Sequence, residues 1–305
     1  MQGSDQHKGL FHSEADLQLA RENLQREPIR GALARLEAAE PDPLARANLS
    51  ALRGQLLGEP EAGFRAAAVL NEADIIRDRG DQLDDIKGSL GWLSVMAMLR
   101  DHPAWDASWL DAIASMLSRG DDSDDKLRAL WLGALSLAAG ILLESETEIE
   151  RGAAVYRAAV ERLIHPEGFL KSIADAPDAP ARYEAQVSGC CALVLLAEMA
   201  APLGLGLWSF ESRAVGIFTA VTYTHFYYFF PEKWRWEEGL TLERTRAIMR
   251  SEGAFMELVN RRNPPQGIEQ FLAEQRPLFC AWGGGLTTLT HGLAPPKKKR
   301  RWRLW

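Results

Sequence analysis

The stretch His165-Pro166-Glu167-Gly168-Phe169-Leu170, followed after a polar segment by Arg182-Tyr183-Glu184-Ala185-Gln186-Val187-Ser188-Gly189-Cys190-Cys191-Ala192-Leu193-Val194-Leu195-Leu196-Ala197-Glu198-Met199-Ala200, decides the fold. Its first part reads as a loop. The segment that continues it carries Asp175, Pro177, Asp178 and Pro180, which cannot all sit inside one helix. Its second part is a helix apolar on nearly every side, hence an interior one. A loop on a rigid scaffold that delivers Arg182 and Tyr183 to the mouth of a buried helix is where chemistry is expected.

Working outward, helical spacings of three and four dominate and strand alternation is nearly absent. The spacing predicts helices over 14–26, 28–38, 44–57, 60–79, 83–99, 107–117, 126–143 and 148–163. After the loop it predicts helices over 184–202, 210–229, 241–260 and 267–275. Ser13 reads as an N-cap, Pro28 as a first-turn proline and Gly58 as a stop. Three long helices carry small residues inside an apolar run, at Gly91, Gly133 and Gly189, which lie 42 and 56 residues apart. A layered ring of hairpins needs this: inner helices buried all round, with small residues where they crowd, and amphipathic outer helices. The fold class expected is all-α, an α/α toroid built as an incomplete barrel of antiparallel helical hairpins. A helical solenoid fits nearly as well, although these spacings are too uneven for a short strict repeat. Residues 1–120 read as N-terminal hairpins continuous with the ring, 121–292 as its second part, and 293–305 as a basic, disordered tail.

The charge distribution bears on partners. The chain has 305 residues, 47% hydrophobic, and a formal net charge of −7. Six of its 35 basic residues lie in the last eleven, so the 29 that remain face 42 acidic ones. The body offers no general field for nucleic acid. Adjacent Cys190 and Cys191 with distant Cys280 make no disulfide framework, and neither Cys-x-x-Cys nor His-Glu-x-x-His is present. No metal or cofactor is expected. Gly283-Gly284-Gly285 lacks the following Lys-Ser/Thr of a phosphate loop and reads as a close backbone pass. The uncharged run 129–143 suits a buried helix, and no membrane partner is expected. The first residues show no apolar signal core, which reads as cytoplasmic.

Several side chains have both a bland and a chemical reading. Tyr183 is either a packed aromatic or a phenol whose proton moves, with Arg182 beside it. His165 is a loop histidine satisfied by backbone or a general base. His225, Trp234 and Trp236 sit in an aromatic run with Lys233 and Arg235. They are core, or a sugar-stacking wall with cations for carboxylates. Lys126 and Arg128 follow Asp121, Asp122, Asp124 and Asp125 at a helix start; they pair with those acids or present charge at the rim.

The loop and helix 165–200 resemble the alginate lyase family, polysaccharide lyase family 5, with its related α/α-toroid uronate lyases. The resemblance rests on Gly168-Phe169-Leu170, Tyr183, Ala192-Leu193-Val194-Leu195-Leu196-Ala197-Glu198-Met199-Ala200 and Gly204-Leu205-Gly206-Leu207-Trp208. Arg276-Pro277-Leu278-Phe279, Gly284-Gly285 and Leu130-Trp131-Leu132-Gly133-Ala134 add to it. It covers about residues 120–292. It implies β-elimination on an acidic, uronate-containing polysaccharide, without metal, and a periplasmic setting. It carries over Tyr183 as acid and base. The family does not supply the other roles; on this chain His165 and Arg182 would assist, and Lys126, Arg128, Trp131, His225, Trp234 and Trp236 would hold substrate. The chain departs from the family's Asn-His pair at Asp125-Lys126-Leu127-Arg128, from its His-Asn at Glu184-Ala185-Gln186, and from its loop Arg at Ala176. These departures leave open a second reading, a catalytically degenerate lyase fold that binds glycan or protein. The uronic acid, the linkage and the oligomeric state are not readable from the residues.

Overall fold

The computed structural model of the chain describes residues 8–73, 82–117, 125–176 and 182–293. Pro177, Asp178, Pro180, Asp121, Asp122, Asp124 and the basic tail beyond Leu293 lie outside the described residues.

The described residues are helical and form no sheet; three isolated bridges close turns. In order, the helices are α1 Glu14–Glu22, α2 Ile29–Glu37, α3 Pro43–Leu57, α4 Pro60–Glu72, α5 Leu83–Leu99, α6 Ser108–Leu117 and α7 Lys126–Leu143. They continue with α8 Glu146–Ala158, α9 Arg182–Ala200, α10 Ile217–Phe229, α11 Leu242–Glu252, α12 Phe255–Arg262, α13 Ile268–Gln275 and α14 Thr287–His291. Ser13 caps α1 in a capping box with Asp16, and Gly58 stops α3 in the left-handed conformation.

Packing runs in a ring. α3 lies on α5, α5 on α7, α7 on α9, and α9 on α11 and α12. α12 then meets α14, α14 meets α1 and α2, and these return to α3. Short helices therefore complete the α/α toroid where a full hairpin is missing. α4, α8 and α10 cover α3, α7 and α9 respectively. α7 and the segment Arg182–Leu203 have the length and apolarity of membrane spans, but 61% and 78% of these windows are buried against other helices. They are the interior staves of the ring. Each fully buried Leu or Val in them contributes about 1.5–3 kcal/mol.

The small residues sit where helices crowd. A methyl on Gly133 would lie 2.7 Å from Val155 on α8, and one on Gly189 would lie 2.4 Å from Leu170. The three-glycine turn needs glycine for two reasons. Gly284 and Gly285 have φ of 103° and 74°, and a methyl on Gly285 would press on Asn48 at 2.9 Å. The turn is closed by Cys280 and Gly285 exchanging backbone hydrogen bonds. It is followed by α14, held through Glu257, whose buried carboxylate accepts from Arg276 and from the Thr288 hydroxyl.

The expected helix over 241–260 is two helices, α11 and α12, parted at Gly253. The expected start of α10 at 210 falls instead at Ile217, after a bridge between Ser212 and Val215. The helix expected over 148–163 is α8 followed by a π-turn, Ala159–Leu163.

Candidate functional site

α9 turns two faces outward in its first turns. Tyr183, Gln186 and Cys190, three and seven residues apart, face α10 and the 165–170 loop. Glu184, Ser188 and Cys191 face a cluster formed by α5, α7, α11 and the Cys280–Gly285 turn.

On the first face, Gln186 is fully buried and pins the loop. Its Oε1 accepts from the Leu170 N–H at 2.8 Å. Its Nε2 donates to the Gly168 carbonyl at 3.2 Å and to Thr224 Oγ1 at 3.0 Å. Gly168, at φ 112°, lets the loop lie directly on α10: a methyl there would meet Tyr223 Cβ at 2.3 Å. His165 stacks on Phe169 with centroids 4.3 Å apart, and Phe169 packs on Trp236 and Tyr223. Arg235 lies over Trp236, 4.4 Å from its centroid, and pairs with Glu167 at 2.6 Å. Arg182 donates to the Trp236 carbonyl at 2.6 Å, and the Tyr183 N–H donates to Glu237. The segment 234–237 thereby ties down the start of α9, and the Glu237 carboxylate sits at its positive dipole end.

Tyr183 is not at the mouth. The residue is fully buried, its ring meets Trp234 edge-on at 5.4 Å, and its hydroxyl donates to the Thr224 carbonyl at 3.1 Å. Burial pushes its pKa well above 10, and its acidic neighbours Cys190 and Tyr228 push the same way. The expectation of a phenol pointing into a cationic cleft is therefore corrected. A Tyr at the first turn of a helix apolar all round turns inward with the rest of that helix.

Trp234 is likewise buried, against Tyr183, Tyr223 and Tyr227, so it offers no ring face to a sugar. His225 points to the far side of α10, wedged between Phe229 and Phe271; burial lowers its pKa to about 4. Its place is core, away from the loop. Trp131 is buried too, and its indole N–H donates to Ser188 Oγ at 3.1 Å. Lys126 is exposed at the first turn of α7, whose N-cap is Asp125. The Asp125 carboxylate accepts from the Leu127 and Arg128 N–H groups at 2.9 and 3.2 Å. Arg128 is half-buried one turn along. The structure thus brings His165, Arg182 and Trp236 together at the mouth, with Arg235 between Glu167 and the rings. It places Trp131 and His225 elsewhere.

The second face of α9 holds groups that the sequence reading missed. Lys87 of α5 and Glu252 at the end of α11 form an ion pair at 2.9 Å, both side chains about 7% exposed. The Lys87 ammonium lies 5.3 Å from the Trp131 ring and 5.9 Å from the Trp282 ring, within cation–π range of both. Burial raises the Glu252 pKa; the charge and hydrogen bond of Lys87 pull against that, and the Glu184 charge adds to it. Burial wins, so Glu252 is a carboxyl group suited to holding a proton nearer neutrality than an ordinary glutamate. A hydrogen bond from Ser188 also pulls against burial, and the Trp282 indole N–H has no hydrogen-bond partner. The pair is separated by 165 residues, so no local spacing announces it. The available signal was a lysine one turn before Gly91 on a helix otherwise buried all round. Among the described residues no three His, Cys, Asp or Glu side chains are grouped to hold a metal.

The comparisons follow this geometry. No family model matches the chain, and no curated protein matches it in sequence. Solved structures do match its fold, and they define the class as the α/α toroid of the alginate lyases. A histidine-to-alanine variant of alginate lyase A1-III complexed with tetrasaccharide superposes with a TM-score of 0.74 at 16% identity, over 95% of this chain and 96% of that one. A tyrosine-to-phenylalanine variant, also complexed with tetrasaccharide, gives 0.68 at 16% identity over 83% and 76%. Alginate lyase A1-III from Sphingomonas species A1 gives 0.67 at 15% identity over 83% and 76%. The fold is that of a polysaccharide lyase.

Proposed function

We propose that this chain binds an acidic, uronate-containing glycan on a lyase scaffold, and that Tyr183 takes no part in cleaving it. The observation that carries this reading is the Tyr183 hydroxyl, sealed in the core and already donating to a backbone carbonyl. Proton abstraction beside a carboxylate needs a base, a leaving-group acid and a cation around one reachable point. Tyr183 meets none of these demands where it lies. The region beside it keeps groups that suit recognition: Arg235 over Trp236, with Arg182 and His165 close by. Guanidinium groups match carboxylates, and a half-exposed indole suits a sugar face. No nucleic acid, membrane or cofactor enters this reading.

The test mixes the protein with alginate and polygalacturonate while following the ultraviolet absorbance of the unsaturated product. Binding of the matching oligosaccharides is followed in parallel by calorimetry. Saturable binding that weakens at least fivefold in Arg235→Ala, with flat absorbance, supports the reading. Absence of binding to every uronate chain rejects it.

A second reading, β-elimination by other residues, has one observation in its favour, the Lys87–Glu252 pair near the first turns of α9. On that reading Lys87 would neutralise the uronate carboxylate and Glu252 would carry the proton. A rising absorbance abolished by Glu252→Gln, and untouched by Tyr183→Phe, would establish it over the first.

A further inference from the structure

At the far end of α9, about 15 Å along the helix from Ser188 at 1.5 Å per residue, a cavity of ≈ 370 Å³ opens between α1, α9, α12 and α14. Its walls carry Asp16, Glu198, Arg261, Arg262 and His291 over an apolar floor at Leu258. This is a second polar centre, unrelated to the mouth or to the Lys87–Glu252 pair.

Its acceptors are saturated. Asp16 Oδ2 accepts from the Ser13 N–H and hydroxyl, both at 2.8 Å, and Oδ1 pairs with Arg261. The Glu198 oxygens take three contacts from Arg262 at 3.0–3.3 Å and one from the Trp208 indole N–H at 2.9 Å. Its donors are in surplus. A guanidinium carries five N–H groups in a fixed fork. Asp16 engages only Nη1 of Arg261, and Glu198 engages only Nε and Nη2 of Arg262.

His291 points the same way. It is 4% exposed, its Nδ1 is bonded to Thr290 Oγ1 at 2.8 Å, and its Nε2 has no partner. Burial lowers its pKa to about 3, so the ring is neutral at ordinary pH. A buried ring nitrogen left unpaired is destabilising, and a bound ligand would relieve that.

We propose that this cavity is a ligand site for a small oxyanion, a carboxylate or phosphate group on a molecule no larger than a monosaccharide. Arg261 and Arg262 grip the oxyanion and His291 Nε2 meets a ligand polar atom. Cavities of this size hold such ligands, and guanidinium N–H groups left over from the two ion pairs can take an oxyanion. The inference stands apart from the reading of the mouth.

The experiment titrates the full chain at low ionic strength with galacturonate, glucose 6-phosphate and inorganic phosphate by calorimetry, with sodium chloride as the blank. One carboxylate or phosphate probe should bind with Kd below about 1 mM. His291→Gln and Arg262→Gln should each weaken it at least tenfold. The first two probes separate the carboxylate from the phosphate source. The imidazole nitrogen signals of His291 in the folded wild type should shift on binding. These signals need no variant, so the proposal stays testable if a variant fails to fold. Failure of every probe to bind below about 10 mM overturns the proposal. So does binding that His291→Gln and Arg262→Gln both leave unchanged.

Discussion

The two faces of the first turns of α9 lie side by side and use polar groups in opposite ways. Towards α10, Tyr183 donates to the Thr224 carbonyl, while Gln186 donates to Gly168 and Thr224 and accepts from the Leu170 N–H, and the loop is locked in place. Towards α5 and α11, an ammonium and a carboxylate face each other between two indoles, and polar atoms there remain unpartnered. The first face also leaves the Tyr223 hydroxyl and the Trp234 and Trp236 indole N–H groups unpaired, but it buries no ion pair. The second holds charge whose desolvation is offset by one partner, a costly arrangement that a purely structural core would replace with hydrocarbon. Burial alone therefore does not mark a residue as structural; what separates the two faces is the buried ion pair on the second.

The largest expected effect breaks the charged face. Lys87→Met should destabilise the fold by about 3–5 kcal/mol, because it leaves Glu252 buried and alone. The double change Lys87→Met with Glu252→Leu should recover most of that loss, within about 1 kcal/mol of wild type by denaturant unfolding. In Lys87→Met the loss should also depend on pH with a definite sign. A carboxyl group whose folded pKa is raised is tolerated when protonated, so stability is kept at acid pH and lost as pH rises through the folded value.

Next comes the outer side of α10, where His225 has the opposite sign. Its folded pKa of about 4 lies below the ordinary 6.5, so the folded state resists protonation. Its contribution is present above pH 6.5 and lost as pH falls from there towards 4, by up to about 3 kcal/mol. His225→Phe should flatten that part of the stability–pH profile measured by thermal or urea unfolding.

Smaller again is the effect of unpinning the loop. Gln186→Ala leaves the Leu170 N–H and the Gly168 carbonyl without the partner they have now, and should cost about 2–3 kcal/mol. Hydrogen exchange should rise at Leu170 while the Lys87–Glu252 side stays protected. The smallest change is Tyr183→Phe. It removes one hydrogen bond to a helix carbonyl, so about 1 kcal/mol is expected, with no change in glycan affinity.

Most helices could be read from the sequence because spacings of three and four persist through them. Gly91, Gly133 and Gly189 marked the interior staves, but those glycines fit a solenoid nearly as well as a ring. The break between α11 and α12 was not, because apolar residues recur on both sides of Gly253 without a proline to interrupt them. Tyr183 drew attention for being a polar residue at the head of an apolar helix, yet its sequence position says nothing of which way the ring turns. Its partner, the Thr224 carbonyl, is backbone and has no residue signature. Lys87 and Glu252 lie on α5 and α11 and meet only because the ring brings those staves to α9. Arg182 and Trp236 meet through the Trp236 carbonyl, which a sequence cannot show.

The most direct measurement of the central claim is the ultraviolet absorbance of wild type and Tyr183→Phe incubated side by side with alginate and polygalacturonate. A flat trace for both, alongside equal and saturable binding, is the predicted result. A rising trace in the wild type that disappears in a folded Tyr183→Phe protein would contradict it, because only a Tyr183 hydroxyl that reaches the substrate could produce that difference.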